Sequence, residues 1–240
     1  MLDMISLARG AIIGVGMAWM LEFWVGWFLK RLPTEHSNGV AQTTYANNST
    51  LFLRLGFYFT MSIWVAVLSV WRQWSPEFLN DIILVSTLVG IAWIDRKTLL
   101  IEGRMIALAL VLRLLWLSYF APNQMFSSLT GLLVGAGILY LIGFLYETFR
   151  HRQGLGEGDA AVLGLIGMWV GWQGLGTVLL IATLSGILIG GISLLRRRQS
   201  NQNILELLQT EIPFAPFLCI GGLIVYFLQE TGITGIGFGF

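Results

Sequence analysis

Long apolar segments separated by short polar connections dominate the hydropathy pattern of the 240-residue chain. A helix needs about 20 mostly apolar residues to cross a bilayer core of roughly 30 Å. Runs of this kind predict eight membrane-spanning helices, at 5–29, 51–71, 78–95, 105–120, 126–147, 160–175, 176–195 and 213–229. The runs at 105–120 and 160–175 are short, so whether they span the bilayer fully stays open.

Helices are favoured over barrel strands because the runs are continuously apolar, whereas the strands of a membrane barrel alternate between apolar and polar positions. We therefore expect an all-α polytopic membrane protein, with about eight transmembrane helices in one bundle and a single domain over 1–240. The composition agrees: 56% of the residues are hydrophobic and 11% are charged. Soluble domains carry roughly 25% charged residues, so a soluble globular enzyme is excluded.

The first apolar run is predicted to be a retained helix rather than a signal peptide. No basic region precedes it, and it continues to Phe28 and Leu29. The chain then proceeds to Lys30 and Arg31 without a small-residue cleavage site.

Basic residues indicate the orientation, because cytoplasmic connections carry an excess of Lys and Arg. Most of the 14 Lys and Arg residues flank alternate connections, after the first, third, fifth and seventh runs. They are Lys30, Arg31, Arg54, Arg96, Lys97, Arg104, Arg150, Arg152, Arg196, Arg197 and Arg198. These connections are predicted to be cytoplasmic, with both termini outside. The polar stretch 34–50 is then a short cytoplasmic loop.

The remaining composition limits cofactors and partners. Cys219 is the only cysteine, which excludes a disulfide framework, a CxxC redox pair and a thiolate zinc site. His36 and His151 share no helical metal-ligand spacing, so no metal site is predicted and no cofactor is expected. The formal net charge of +1 is too small to suggest nucleic acid as a partner. The sequence does not indicate an oligomeric state.

Two aspartates stand at the predicted inner boundary of the membrane, where an ionisable group is costly and needs a reason. Asp95 ends the third run, and Asp159 begins the sixth. Two helices of opposite direction would thus place both carboxylates at one depth, as a catalytic pair requires. The structural alternatives are that Asp159 caps its helix and that Asp95 pairs with the bases that follow it. Gly156 and Gly158 before Asp159 favour a site, since they permit a tight bend and leave room for a substrate main chain.

Glu22 and Arg113 are two further charges inside predicted spans. Glu22 lies eight residues before Lys30 and Arg113 lies eight residues after Met105, so each is about 12 Å inside the cytoplasmic boundary at a rise of 1.5 Å per residue. We expect them to form a structural charge pair between the first and fourth helices.

Taken in order, three motifs of the chain resemble those of the type IV prepilin peptidases, a family of GxGD aspartic membrane proteases. The stretch GLGEGDAAVLGLIGMWVGWQGL at 154–175 is similar to the family's second aspartate motif. IDRKTLLI at 94–101 resembles the first, and IPFAPF at 212–217 begins the last predicted helix. The resemblance touches most of the chain.

By this resemblance, Asp95 and Asp159 would be the catalytic pair of an aspartic endopeptidase in the bacterial inner membrane, with its active site facing the cytoplasm. The substrates would be prepilin or pseudopilin precursors embedded in the lipid bilayer, which lose a short basic leader. Gly156 and Gly158, together with Pro213 and Pro216, would shape the substrate-binding site.

The chain also departs from the family pattern. Many bacterial members carry a zinc-binding cysteine region between the first two helices, a form associated with N-methylation of the processed pilin. Here 34–50 contains no cysteine, so N-methylation is not expected. Family members often carry Pro and an acid or Asn at the positions of Glu102 and Gly103 in this chain. They also commonly carry a Lys three residues after the second aspartate, where this chain has Val162.

Two alternative functions stay open at this point. One is a presenilin-like intramembrane protease that cuts other helices, since such proteases share a GxGD loop. The other is a transporter or a non-catalytic assembly factor. Transporters place coupling acids near the bilayer midplane, whereas both aspartates are predicted at one edge.

Overall fold

The computed structural model describes residues 4–29, 49–98, 100–150, 156–198 and 214–232. Within these residues every regular element is helical. The seven α-helices are α1 (Met4–Leu29), α2 (Ser49–Arg72), α3 (Pro76–Thr98), α4 (Gly103–Phe120), α5 (Met125–Arg150), α6 (Glu157–Arg198) and α7 (Ala215–Glu230). The predicted all-α class is therefore confirmed, and the loop predicted over 34–50 lies almost entirely outside the described residues.

Five helical segments in the described part of the chain are long and apolar enough to cross a membrane. They are Met4–Trp24, Pro76–Arg96, Gly103–Phe120, Pro122–Phe149 and Glu157–Ile192. A helix of 16 residues such as α7 is shorter than the usual span of about 20. The predicted number of eight spans is thus not confirmed.

Two helical segments that meet at Gly171 make up α6, and they correspond to the two helices predicted at 160–175 and 176–195. The only interruption of helical conformation in α6 is Gly171, with φ 72° and ψ 170°. This conformation is open to glycine but costly for residues with a Cβ atom. The break therefore falls at Gly171, and the predicted boundary between 175 and 176 is wrong.

The chain divides into two compact units, residues 1–90 and 91–240. In the first unit, α1 packs closely on α2 because Gly10 and Gly14 offer no side chain to hold the backbones apart. A Cβ atom on Gly14 would lie 2.6 Å from the Cα of Ser62, and one on Gly10 would lie 2.8 Å from that of Ala66. Small residues at helix contacts are the usual means of close packing in membranes.

A buried ion pair joins α2 to α3 within the same unit. The Arg72 Nε donates to Asp81 Oδ2 at 2.7 Å, and the Asp81 side chain is fully buried. The turn between these helices contains Gln73 and Trp74, both with positive φ. Arg72 neutralises a carboxylate that would otherwise be very unfavourable in an apolar interior.

The second unit is built around the contact of α5 with α6. Gly131 and Gly135 of α5 face Gly167, Leu163 and Gly164 of α6 so closely that neither glycine of α5 has room for a Cβ atom. The glycines of this contact are spaced four residues apart in the sequence, as Gly131 and Gly135 on α5 and as Gly167 and Gly171 on α6. The contact fixes the start of α6, which carries Asp159.

Candidate active site

Asp95 lies near the C-terminal end of α3 and is buried, with 4% of its surface exposed. Its position follows from the apolar residues that precede it, since Ile91 and Ile94 are fully buried in the same part of the helix. The carboxylate accepts a hydrogen bond from the backbone N–H of Ala215. Its Oδ2 atom is buried without a hydrogen-bond partner among the described residues. A buried polar atom of this kind is costly unless something binds it.

The hydrogen bond from Ala215 places the N-terminus of α7 directly against Asp95. The first turn of a helix has free N–H groups and a partial positive charge, which together favour an anion. Pro216 occupies this first turn, where a missing N–H breaks no intrahelical bond. Pro213 lies outside the described residues, so its predicted role stays a prediction.

Asp159 lies in the first turn of α6. Its backbone N–H donates to the carbonyl of Gly156 at 3.0 Å, which closes the turn that starts the helix. The carboxylate lies near enough to Asp95 for their charges to repel each other. Asp95 and Asp159 are thus brought together, as the sequence predicts.

The loop between α3 and α4 packs against Gly158. A Cβ atom at Gly158 would lie 2.7 Å from Cδ1 of Ile101 and 2.8 Å from its Cβ. Gly158 is therefore needed for close packing, and its helical conformation requires no special backbone freedom. Gly156 has more space, because the nearest atom to a Cβ there is Asp159 Oδ2 at 3.6 Å.

Cys219 is a buried thiol on α7, four residues after Ala215 and hence on the same face. It is near enough to both Asp95 and Asp159 to interact with their charges. Only the four-residue spacing from Ala215 in the Pro-containing run could have pointed to this position. The sequence also did not predict the roles of Ile101 and the Ala215 N–H. Neither a packing contact nor a backbone donor has a recognisable sequence motif.

Glu22 and Arg113 belong to different units of the chain, and their pairing stays a prediction. Glu22 Oε2 accepts a hydrogen bond from the Tyr58 hydroxyl at 2.6 Å. The Arg113 guanidinium lies 4.9 Å from the ring centre of Trp116 and 5.1 Å from that of Trp169. Cation–π contacts of this kind stabilise a buried arginine.

Metal ligation has no candidate site in the part of the chain that the structure describes. There, no group of three or more His, Cys, Asp or Glu residues is arranged to hold an ion. The converging groups are two carboxylates, a backbone N–H and a buried thiol. Two carboxylates that feel each other's charge can divide the tasks of acid and base between them.

Comparison with known proteins identifies the family of the central region. Residues 82–191 match the type IV leader peptidase family. A prepilin leader peptidase/N-methyltransferase of Legionella pneumophila is 29% identical over 199 residues, which are 79% of this chain and 64% of that protein. The protein of the same name from Pectobacterium carotovorum subsp. carotovorum is 33% identical over 174 residues, 70% of this chain and 55% of its own.

The matched region, residues 82–191, contains both Asp95 and Asp159, together with Gly156 and Gly158. A third relative of the same name, from Pseudomonas aeruginosa, is 38% identical over 120 residues, 48% of this chain and 39% of that protein. The chain spans between about two-fifths and just under two-thirds of the length of these three relatives. No solved structure matches the chain significantly.

Proposed function

We propose that the protein is a membrane-embedded aspartic endopeptidase that removes the short basic leader from prepilin-like precursors. The observation that carries this proposal is the convergence of Asp95 and Asp159, which come from separate helices of the matched region and interact electrostatically. The names of the relatives support prepilin-like substrates.

The chemistry follows from two carboxylates that share one proton, because two neighbouring negative charges repel each other. The ionised aspartate takes a proton from a water molecule as the water oxygen attacks the scissile carbonyl carbon. The protonated aspartate donates its hydrogen bond, and then its proton, to the carbonyl oxygen. When the tetrahedral intermediate collapses, the C–N bond breaks and the aspartate that took the water proton gives it to the leaving nitrogen. The other aspartate takes back the proton of the diol hydroxyl as the carbonyl re-forms, which restores the starting pair. Which aspartate begins in which state is a property of the coupled pair.

The surroundings of Asp95 support the role of a carboxylate that gains and loses a proton during the reaction. Burial and the neighbouring Asp159 charge disfavour its ionised form, and the Ala215 N–H at the positive end of α7 partly offsets them. The buried Oδ2 atom has no hydrogen-bond partner among the described residues, so it is available to a water molecule or a substrate atom. A Cβ atom at Gly156 would make only ordinary contact with Asp159 Oδ2, at 3.6 Å, so a substrate main chain could approach beside Gly156 without crowding.

The proposed setting is the bacterial inner membrane, with the site at the cytoplasmic face. The concentration of Lys and Arg beside the connections that flank Asp95 and Asp159 supports this orientation. A precursor with an apolar helix in lipid would then present its leader junction at the inner boundary. N-methylation is not part of the proposal, because 34–50 contains no cysteine.

The test is cleavage of a membrane-inserted prepilin by the purified protein in liposomes, with the new N-terminus read by mass spectrometry. We expect one cut at the leader junction, and its loss in Asp159→Asn by about 10⁴-fold, in the range of single catalytic residues. Glu230→Gln is the matched control, since it removes an exposed carboxylate at the other end of α7. Cuts within the apolar helix would instead indicate a presenilin-like protease, and a wild type without cleavage would indicate a transporter or assembly factor.

A further inference from the structure

A groove of about 870 Å³ runs along the outside of α5, beside the first turns of α6. On α5 it is lined by Leu133, Ala136, Gly137, Tyr140, Leu141 and Phe144. These positions follow the spacing i, i+3, i+4, i+7, i+8 and i+11, so they form one helical face. The face covers 11 residue steps, or about 16 Å at the rise of an α-helix. This length corresponds to three turns of a second helix.

The wall of the groove is apolar and uncovered. Leu133 is 71% exposed, Tyr140 is 64% exposed and Phe144 is 61% exposed. Between these large residues the floor is made of small ones, Gly137 on α5 and Ala160 and Ala161 on α6. A Cβ atom on Gly137 would meet no other atom within 4 Å. Large walls with a floor of small residues let another helix approach closely.

Among the described residues that line the groove, Glu157 is the one that carries a charge. It is exposed and stands in the same first turn of α6 as Asp159, two residues earlier. The groove therefore ends at the helical turn that also carries Asp159, although Asp159 itself is not among its lining residues. Glu157 places a negative charge at that end, while the rest of the lining is apolar.

We propose that this groove receives the apolar helix of the precursor, with Glu157 facing the basic leader. The proposal rests on the proposed function and deepens it. A precursor that combines an apolar helix with a basic leader matches the groove in both respects, because its helix replaces lipid along α5 and its positive charges meet Glu157. Seated in this way, the junction between helix and leader lies beside Asp159.

A side chain introduced at Gly137 tests the groove without disturbing the packing of the protein itself, since the space around it is empty. Gly137→Leu is expected to raise KM for the membrane-inserted precursor by about tenfold with little change in kcat, the mark of lost binding rather than lost chemistry. Gly176→Leu is the matched control, because Gly176 is also an exposed glycine of a helix with nothing within 4 Å. It should leave both constants unchanged. Equal effects of the two variants, or none from Gly137→Leu, would overturn the proposal.

The charged end is tested by exchanging charges. Glu157→Lys should raise KM for a precursor with a basic leader, and a precursor with an acidic leader should recover much of the loss. Glu157→Gln should give an intermediate KM. If Glu157→Lys loses activity equally with both leaders, the assignment of Glu157 to the leader is wrong.

Photocrosslinking separates this proposal from the proposed function, because it requires no turnover. A photoreactive residue at position 137 in the Asp159→Asn protein should crosslink to the apolar helix of the precursor, and the same residue at position 176 should not. Crosslinks from position 137 to lipid alone, or to a second copy of the chain, would reject the groove as the substrate site. That rejection would leave cleavage by the wild type unaffected.

Discussion

At the scale of single residues, the candidate site combines two carboxylates with groups that have no sequence signature. The aspartates were predictable because a charge at the edge of an apolar helix is unfavourable and hence conspicuous. The Ala215 N–H that binds Asp95 could not be predicted, since every residue but proline has such a group. The contact of Ile101 with Gly158 depends on the path of a loop, which the pattern of apolar residues does not determine.

The two glycines before Asp159 give a matched test of this packing. Gly158→Ala would place a Cβ atom 2.7 Å from Ile101 Cδ1, so the loop or the start of α6 must shift. We expect a loss of stability of about 1–3 kcal/mol, typical of an overpacked site, and a fall in kcat as Asp159 moves. The measurements are thermal unfolding in detergent and the cleavage rate.

Gly156→Ala serves as the control for Gly158→Ala, because its Cβ atom would be in ordinary contact at 3.6 Å from Asp159 Oδ2. It should keep the stability and most of the activity of the wild type. A Gly158→Ala protein as stable and active as Gly156→Ala would show that the Ile101 contact is unimportant.

At the scale of elements, glycine sets which helices approach closely. The sequence indicated the Gly131 and Gly167 spacings, and the structure pairs them between α5 and α6. The same spacing at Gly10 and Gly14, which packs α1 against α2, was overlooked in the sequence. The break in α6 was misplaced because Gly171 is one of several glycines in the stretch, and hydropathy does not distinguish a helical glycine from one with positive φ.

A methyl group at the α5–α6 contact should therefore destabilise the second unit. In Gly167→Ala the new Cβ atom would collide with the backbone carbonyl of Gly131, which cannot rotate away as a side chain can. We expect a loss of about 1–3 kcal/mol, measured by thermal unfolding in detergent. Gly176→Ala points into open space and should be neutral or slightly stabilising, because alanine favours a helix over glycine. Similar unfolding temperatures for the two variants would contradict the role of the glycine contact.

At the scale of the whole molecule, the hydropathy pattern was sufficient to predict the all-helical class. It was not sufficient to predict the number of membrane-spanning helices. Apolar runs identify helices because lipid requires satisfied backbone groups. Apolar runs do not predict where each helix begins and ends in space. One of them became α7, a helix of 16 residues whose N-terminus lies against Asp95. The arrangement of the spans and the orientation in the membrane stay predictions.

Orientation can be measured by cysteine labelling, because the only native thiol, Cys219, is buried. A Ser37→Cys variant carries its new thiol in the stretch predicted to be a cytoplasmic loop. A membrane-impermeant maleimide should label it in inside-out vesicles and fail to do so in intact cells. The unmodified protein, with Cys219 alone, should remain unlabelled in both. Labelling of Ser37→Cys in intact cells would reverse the predicted topology.

The central claim is that Asp95 and Asp159 act as one catalytic unit, and the most direct test is the cleavage rate of Asp95→Asn, Asp159→Asn and the double variant. Each single variant should lose about 10⁴-fold in kcat, and the double variant should be hardly slower than either, because residues that act together have non-additive effects. All three variants should unfold at about the same temperature as the wild type, which would show that they are folded. Substantial cleavage by either single variant, or losses that multiply in the double variant, would contradict the paired mechanism.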